Sequence, residues 1–476
     1  MNTLWAVLFV EGYLVTLLLV PIVVLQKRRQ SVATLAWIMA IIMLPYFGTI
    51  LFLFFGINRV ERRAALKQAA RRRLDALLPP PAPHQLLPDE AATPLESHLM
   101  RLLTRVSQMH ATYDNAVEIL SDTNRTLGLI EQSIHNATKS IHLEYYIWRA
   151  DRTGRRLRDL LIDKARQGVE VRFLFDGLGS IFLGRKFLKP MRAAGIQVAC
   201  ALPGPSLRER WSFNLRNHRK IVVVDGEIGF TGGMNIGDEY IGRDRRLGFW
   251  RDTHLRLRGP AVRNLQQIFA EDWFFATGEA LTGAQWHPPA EAAGDVVSQV
   301  IAGGPDGPHD VFHSLFFAAI NEAQERISLA TSYFIPTPSL ATALETAALR
   351  GVRVRLMVPG IADHQWMVVA GRAWYETLLR SGVEIYEFKK GPLHAKTLTV
   401  DGVWSLVGSP NFDSRSLLLN FEVAVALYGP RCARELEEQF SDDLAHAPRV
   451  DLEQFERRGI WYKLAEQSLK LFAPIL

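Results

Sequence analysis

One polar pattern occurs twice in this chain, and it constrains the fold more than any other feature. His218-x-Lys220, four residues, Asp225, six residues and Gly232, with Asn235 beyond Gly233, form the first copy. His394-x-Lys396, four residues, Asp401, six residues and Gly408, with Asn411 beyond Ser409, form the second. At ordinary residue frequencies of a few per cent, five types at five identical offsets coincide by chance about once in a million starting points. A repeat of catalytic-type residues implies two half-sites, and two half-sites facing each other make one active site.

The repeat extends beyond the motif, as internal duplication should. After the first copy comes Trp250-Arg251-Asp252-Thr253-His254-Leu255-Arg256-Leu257-Arg258-Gly259-Pro260, and after the second Asn420-Phe421-Glu422-Val423-Ala424-Val425-Ala426-Leu427-Tyr428-Gly429-Pro430. Each is a carboxylate, an alternating strand and a Gly-Pro stop. Upstream, Ile141-His142-Leu143-Glu144-Tyr145-Tyr146-Ile147 matches Ile327-Ser328-Leu329-Ala330-Thr331-Ser332-Tyr333-Phe334-Ile335, each followed by a helical stretch and a second strand. Strand, helix, strand and motif strand recur, which predicts two duplicated α-β-α lobes of an α/β fold.

After each motif lysine the chain is apolar and strand-forming: Ile221-Val222-Val223-Val224 and Thr397-Leu398-Thr399-Val400. Residues two apart on a strand share a face, so His218 projects with Lys220 and His394 with Lys396. Two lysines and the amides of Asn235 and Asn411 would cradle one phosphoryl group and stabilise its developing charge without a metal. One imidazole can then attack phosphorus while the other protonates the leaving oxygen and later deprotonates the incoming hydroxyl. Each histidine needs its far nitrogen held by a carboxylate, and Asp252 for His218 and Glu422 for His394, each within its lobe, are the expected partners. Asp225 and Asp401 each precede a glycine at a turn, which favours a structural task for them.

Rival chemistries fit poorly. There is no Walker loop and no His-Glu-x-x-His. Cys200 and Cys432 are isolated, which excludes a cysteine metal cluster and argues against a disulfide-stapled secreted fold. A metal between His218 and His394 would be repelled by Lys220 and Lys396. The paired motif resembles the phospholipase D superfamily. The wording Asn214-Leu215-Arg216-Asn217-His218-Arg219-Lys220, Thr231-Gly232-Gly233-Met234-Asn235, Tyr333-Phe334-Ile335-Pro336 and Gly408-Ser409-Pro410-Asn411-Phe412-Asp413-Ser414-Arg415-Ser416 is similar to its bacterial cardiolipin synthases. The likeness covers nearly the whole chain. It implies two phospholipase D-like lobes with one interfacial active site, and a catalytic set of His218, Lys220, Asp225, His394, Lys396 and Asp401. It also implies conversion of two phosphatidylglycerol molecules to cardiolipin and glycerol through a phosphohistidine, with no metal, nucleotide or other cofactor. His218 is the expected nucleophile and His394 the acid, chiefly from the superfamily's usual order. Arg219 beside His218, where Ala395 stands beside His394, would add positive charge and favour a neutral imidazole, although strand alternation points it away. Gly233 where the second copy has Ser409 departs from the superfamily pattern and leaves Ser409 as the asymmetric phosphate ligand. The alternatives are a phospholipase D-type hydrolase releasing phosphatidic acid, a nuclease, and a non-catalytic scaffold. Two complete motifs argue against the last. A nuclease needs no membrane anchor and should show a basic groove interleaved with stacking aromatics.

A formal charge of +6 and a pI near 9.3 call for an anionic partner, lipid or nucleic acid. The N-terminus selects lipid. Residues 4–25 are apolar apart from Glu11, Gly12 and Thr16, and residues 32–57 form a second apolar run carrying Pro45, Gly48 and Gly56. Neither has the flanks of a cleaved signal. Residues 1–58 are therefore expected to be membrane-embedded, which places the protein in the bacterial inner membrane. Lys27, Arg28 and Arg29 flank the first run, and Arg59, Arg62, Arg63, Lys67, Arg71, Arg72 and Arg73 follow the second. The larger cluster predicts a cytoplasmic catalytic part. Two full spans are the first expectation; a second segment broken at Pro45 that re-enters the same face is the alternative.

Residues 59–94 read as a basic helix at the membrane surface followed by a proline-rich linker. Residues 95–290 should form the first lobe, 291–310, with Gly294, Gly303, Gly304 and Gly307, a crossover connection, and 311–476 the second lobe. In the last helix Trp461, Leu464, Ala465, Leu469 and Phe472 mark one face, expected to pack on the core, with a membrane-interface helix as the alternative. Residues 185–189 and 208–216 are candidates for lipid head groups, against a solvated loop. The partners expected are phosphatidylglycerol and the bilayer, not nucleic acid. The oligomeric state is open, a homodimer included.

Overall fold

The computed structural model describes residues 2–25, 31–52, 60–75, 77, 85–87, 90–202, 215–289 and 291–472. The duplication is written into one 15-stranded sheet to which each lobe contributes seven strands in the same order, the short strand Gln85–Leu86 pairing with the start of Ala111–Leu120. From the junction outward the first lobe runs Ala111–Leu120, His254–Arg258, Ile228–Gly232, Ile221–Val224, Ser140–Tyr145, Glu170–Phe175 and Gln197–Cys200. The second runs Val296–Gly303, Glu422–Tyr428, Trp404–Gly408, Thr397–Val400, Arg326–Ala330, Arg353–Pro359 and Glu384–Phe388. The lobes join where Ala111–Leu120 pairs antiparallel with Val296–Gly303, Thr112 opposite Ser298.

The motif strand Ile221–Val224 sits in mid-sheet, apolar on both faces with all four residues buried; in Thr397–Val400 Leu398 and Val400 share one face and the two threonines the other. The parallel pair Ser140–Tyr145 and Glu170–Phe175 requires a crossover, which the Arg152–Arg166 helix supplies after its Asp151 N-cap accepts from the Gly154 N–H at 2.9 Å. Helices cover both faces at the junction. Leu99, Leu103 and Leu315 pack with Ile301 on one side, and Leu265, Ile268 and Leu436 with Val300 on the other. Adjacent residues of a strand face opposite ways, so this one strand serves both cores.

That strand corrects one expectation. Residues 291–310 are not a simple crossover: Val296–Gly303 is the central strand of the joined sheet, flanked by glycine-bearing loops. Its glycines permit close packing; a Cβ on Gly303 would stand 2.6 Å from the Phe312 ring.

Asp225 and Asp401 also differ from the catalytic set that the resemblance implies. Both adopt left-handed backbone, φ 55 and 52, before their glycines. The Asp225 carboxylate accepts from the N–H groups of Thr138, Lys139 and Ser140 at 2.9, 2.8 and 2.8 Å. Asp401 accepts from Gln324, Glu325 and Arg326 at 2.8, 2.8 and 2.9 Å. Each pins the motif hairpin to the start of the neighbouring strand, at the end of the motif strand remote from the histidine.

At the N-terminus, helix Asn2–Val24 packs against Ser31–Met43 and Pro45–Leu51. The chain reverses at Leu44 and Pro45, so that a Cβ on Gly48 would lie 2.2 Å from the Ala40 carbonyl oxygen, and the Phe52 ring lies 5.6 Å from Trp37. The segments of 13 and 7 residues fold back on each other, unlike the expected second full span. Among the described residues no helix is long and apolar enough to cross a membrane.

The basic helix Val60–Asp75 does not lie free at a surface. Leu74 is buried with Leu174, Ala201 and Phe269, and Lys67 is buried as well. The last helix, Ile460–Phe472, keeps its expected orientation only in part: Leu469 docks, beside Glu466 and Lys470, while Trp461 and Leu464 are 78% and 53% exposed. Core packing of that apolar face is therefore corrected to outward exposure at Trp461, Leu464 and Ala465, with Leu469 docked as expected.

Candidate active site

His218 and His394 precede their strands, each held by a backbone bond to the opposite lobe. The His218 N–H donates to the Phe421 carbonyl at 2.9 Å, and the His394 N–H to the Arg251 carbonyl at 2.6 Å. Phe421 and Arg251 are the residues just before Glu422 and Asp252. The chain entering each carboxylate thus runs beside the other lobe's histidine, as parallel bridges Asn217 to Phe421 and Arg251 to Leu393.

The carboxylates consequently cross. His218 Nδ1 meets Glu422 Oε2 at 2.8 Å, and His394 Nδ1 meets Asp252 Oδ2 at 2.7 Å. Pairing within each lobe, as expected from the repeat, is corrected: the repeat gives equivalence of position, and the interface gives partnership. With Nδ1 donating to a carboxylate, Nε2 of each ring carries the lone pair or the transferable proton.

All of these groups are buried, and burial dominates their ionisation. It pushes His218 down to about 4, with Glu422 opposing and Lys220 and Lys396 adding to the depression. Arg219 is not its cause: that guanidinium reaches away to Asp272 at 2.5 Å, so the contribution expected of it is absent. His394 is lowered too, by burial and Lys396, against Asp252. Burial takes Lys220 to about 7 and Lys396 to about 8. Burial alone would raise Asp252 and Glu422, but the histidines and lysines beside them outweigh it and hold both below the usual carboxylate range. The lysines thus sit ready to gain from an arriving anion.

Each asparagine spends its oxygen locally, which leaves its NH2 end as a donor. Asn235 Oδ1 accepts from the Ile147 N–H at 3.2 Å, and Asn411 Oδ1 from the Ser332 hydroxyl at 2.6 Å. Ser409, expected as a phosphate ligand, instead donates to Glu422 Oε2 at 2.5 Å and accepts from the Val423 N–H at 3.0 Å. Its counterpart Gly233 has no room for a side chain, since a Cβ there would lie 2.0 Å from Asp252 Oδ1.

Sequence reasoning missed the aromatic and hydroxyl groups around the histidines. Tyr146 sits edge-on to His218 at 4.8 Å, and Trp250 and Tyr240 approach His394 at 5.4 and 6.3 Å. Ser332, the counterpart of Tyr146, accepts from Lys396 Nζ at 2.7 Å. The available signal was adjacency: Trp250 lies two residues before Asp252, and Tyr146 and Ser332 end the strands beside the motif. Of the proposed head-group residues, 185–189 begin the helix Arg185–Ala193 with Phe187 and Leu188 buried, and 208–214 lie outside the described residues.

A family model described as cardiolipin synthase, PLD-like domain, matches residues 130–273 and 316–444. One described as phospholipase D-nuclease N-terminal matches residues 14–56. The cardiolipin synthase of Geobacillus kaustophilus (strain HTA426) is 39% identical over 472 residues, covering 97% of this chain and 92% of that protein. That of Halalkalibacterium halodurans is 37% identical with the same coverage, 97% and 92%. Among solved structures, phosphatidylserine synthase of Haemophilus influenzae Rd KW20 superposes with a TM-score of 0.58 at 15% identity, over 79% of this chain and 97% of that one. That likeness is one of fold.

Proposed function

The chain belongs to the phospholipase D-like cardiolipin synthases, and from that premise we propose that it transfers a phosphatidyl group from one phosphatidylglycerol to another. The observation that carries this reading is the pair of histidines, each held by a carboxylate from the opposite lobe, beside two buried lysines. His218 Nε2 forms a bond to phosphorus as the bond to the departing glycerol oxygen breaks, and His394 gives that oxygen its proton. His394 then takes the proton of a glycerol hydroxyl on the second lipid, whose oxygen displaces His218 and yields cardiolipin. Lys220, Lys396, Asn235 and Asn411 hold the phosphoryl oxygens throughout. Asp252 and Glu422 orient the rings, and Asp225 and Asp401 support the strands.

We place the N-terminal segments in the bacterial inner membrane with the catalytic lobes on the cytoplasmic side. The match at residues 14–56 and the apolar composition support this. A first segment that spans and a second that folds back would put both basic flanks on one face, as the positive-inside tendency asks. The outward Ile460, Trp461, Tyr462 and Leu464 suit the membrane-interface use of the last helix.

The test is purified protein in phosphatidylglycerol micelles without divalent metal, with products resolved by mass spectrometry. Glycerol with cardiolipin is expected. Glycerol with phosphatidic acid would instead make the protein a hydrolase, in which water reaches the phosphohistidine.

A further inference from the structure

The helix Val60–Asp75 connects the N-terminal segments to the lobes, and Lys67, Arg71 and Leu74 fall on one face of it. That face is docked against the helix Pro260–Thr277. Leu74 enters an apolar cluster with Phe269, and Arg71 Nε lies 3.4 Å from Glu271 Oε2. Lys67 goes deepest. Its Nζ lies 2.5 Å from Asp272 Oδ1, both side chains being almost wholly buried, and 3.6 Å from the centroid of the Phe421 ring.

Both contacts lead to the first half-site. Asp272 Oδ2 holds Arg219 at 2.5 Å, and Arg219 Nε donates to the Glu422 carbonyl at 3.1 Å. Phe421 supplies the carbonyl that takes the His218 N–H. A lysine from the membrane-proximal helix therefore braces the two residues that carry the His218–Glu422 pair, one through a charge and one through a ring. Buried beside them, Glu144 accepts from the Asn217 amide at 2.5 Å, and burial beside Asp272 pushes its carboxyl well above the usual range, so Asp272 carries the charge that Arg219 and Lys67 face. Removing Lys67 withdraws one of the two cations that hold this buried carboxylate in place.

We propose that Lys67 is a positioning residue for the His218–Glu422 half-site, so that seating the membrane-proximal helix on the first lobe completes the nucleophile's geometry. Phosphatidyl transfer is thereby coupled to the segment that carries the membrane anchor. This rests on the transferase reading above.

The experiment uses the full chain in phosphatidylglycerol vesicles and measures turnover, KM and the rate of adduct formation on His218. Lys67→Met should lower kcat and adduct formation by about tenfold to a hundredfold, as small misplacements of reacting groups do, with KM unchanged. Lys67→Arg, which keeps the cation, should recover most of that loss. Arg71→Gln, which loosens the same helix without touching Asp272 or Phe421, should stay within about twofold of wild type. If Lys67→Met fails to fold, Phe421→Leu keeps the carbonyl that takes the His218 N–H but removes the ring beside Lys67 and Arg219, and should give the same kcat loss. Wild-type kcat in the variant that folds, or equal losses in Arg71→Gln, would overturn the proposal. Absence of cardiolipin from the wild-type protein would instead overturn the transferase reading.

Discussion

The two half-sites share their motif and differ in what surrounds it. Around His218 a charged cluster of Arg219, Asp272 and Lys67 stands behind a ring flanked by Tyr146, and Glu422 is held by the Ser409 hydroxyl. Around His394 stand the rings of Trp250 and Tyr240 and the Arg251–Asp443 ion pair, with the small Ala395 in place of Arg219. The lysines differ as well. Both bond back to the carbonyl of their own histidine, but Lys396 is also fastened by Ser332, whereas Lys220 Nζ lies 5.3 Å from the Tyr146 ring centroid. A glutamate with a serine in one half does the work of an aspartate with a glycine in the other. Duplication thus preserved the reacting groups and let their supports diverge, which is what unequal roles require.

The hardest test of that inequality is removal of each histidine. Either His218→Ala or His394→Ala should lower cardiolipin synthesis by about four orders of magnitude or more. With a lipid whose leaving group needs no proton, His394→Ala should accumulate a phosphatidyl adduct on His218, read by mass spectrometry, and His218→Ala none. An adduct on His394 would exchange the roles and keep the two-histidine chemistry.

The crossing of the carboxylates makes a sharper demand. Glu422→Gln and Asp252→Asn should each cost about three to four orders of magnitude in kcat, the scale of lost tautomer control. With the activated lipid, adduct formation on His218 should then be spared in Asp252→Asn, whose defect lies with the acid, but not in Glu422→Gln. The opposite pattern would restore pairing within each lobe.

The lysines should separate activity from stability. Their folded pKa values, about 7 and about 8, lie below the unfolded 10.5, so from about pH 7 upward the unfolded chain binds more protons. The stability penalty is therefore full below about pH 7 and is relieved as pH rises towards 10.5. Lys220→Met should abolish turnover yet raise Tm by several degrees at pH 6, less at pH 9. A lower Tm at both would show that the bond to the His218 carbonyl outweighs desolvation. In wild type, kcat/KM should rise through about pH 4 as His218 loses its proton. The smallest effect belongs to Ser409→Ala, which leaves Glu422 on His218 but loses one hydroxyl; about a tenfold drop in kcat is expected.

The repeat made much of this legible. Equal offsets located both histidines, both lysines, both asparagines and, through the strand that follows, both carboxylates. It could not say which carboxylate serves which histidine, because that depends on bridges from Asn217 to Phe421 and from Arg251 to Leu393, made between lobes rather than along the chain. Tyr146 and Ser332 were missed because a tyrosine opposite a serine looks like divergence, not shared position. Glycine density hid the strand Val296–Gly303, and amphipathic spacing in the last helix marked a face without saying what would cover it.

Strand Val296–Gly303, laid against Ala111–Leu120, has one more implication. Since each ring is oriented from the other copy, a chain with a single copy would have to meet a second molecule, and its activity would fall on dilution. Carrying both copies on one polypeptide fixes their local concentration by tether length rather than by abundance. A phospholipid transferase is thereby relieved of finding its other half.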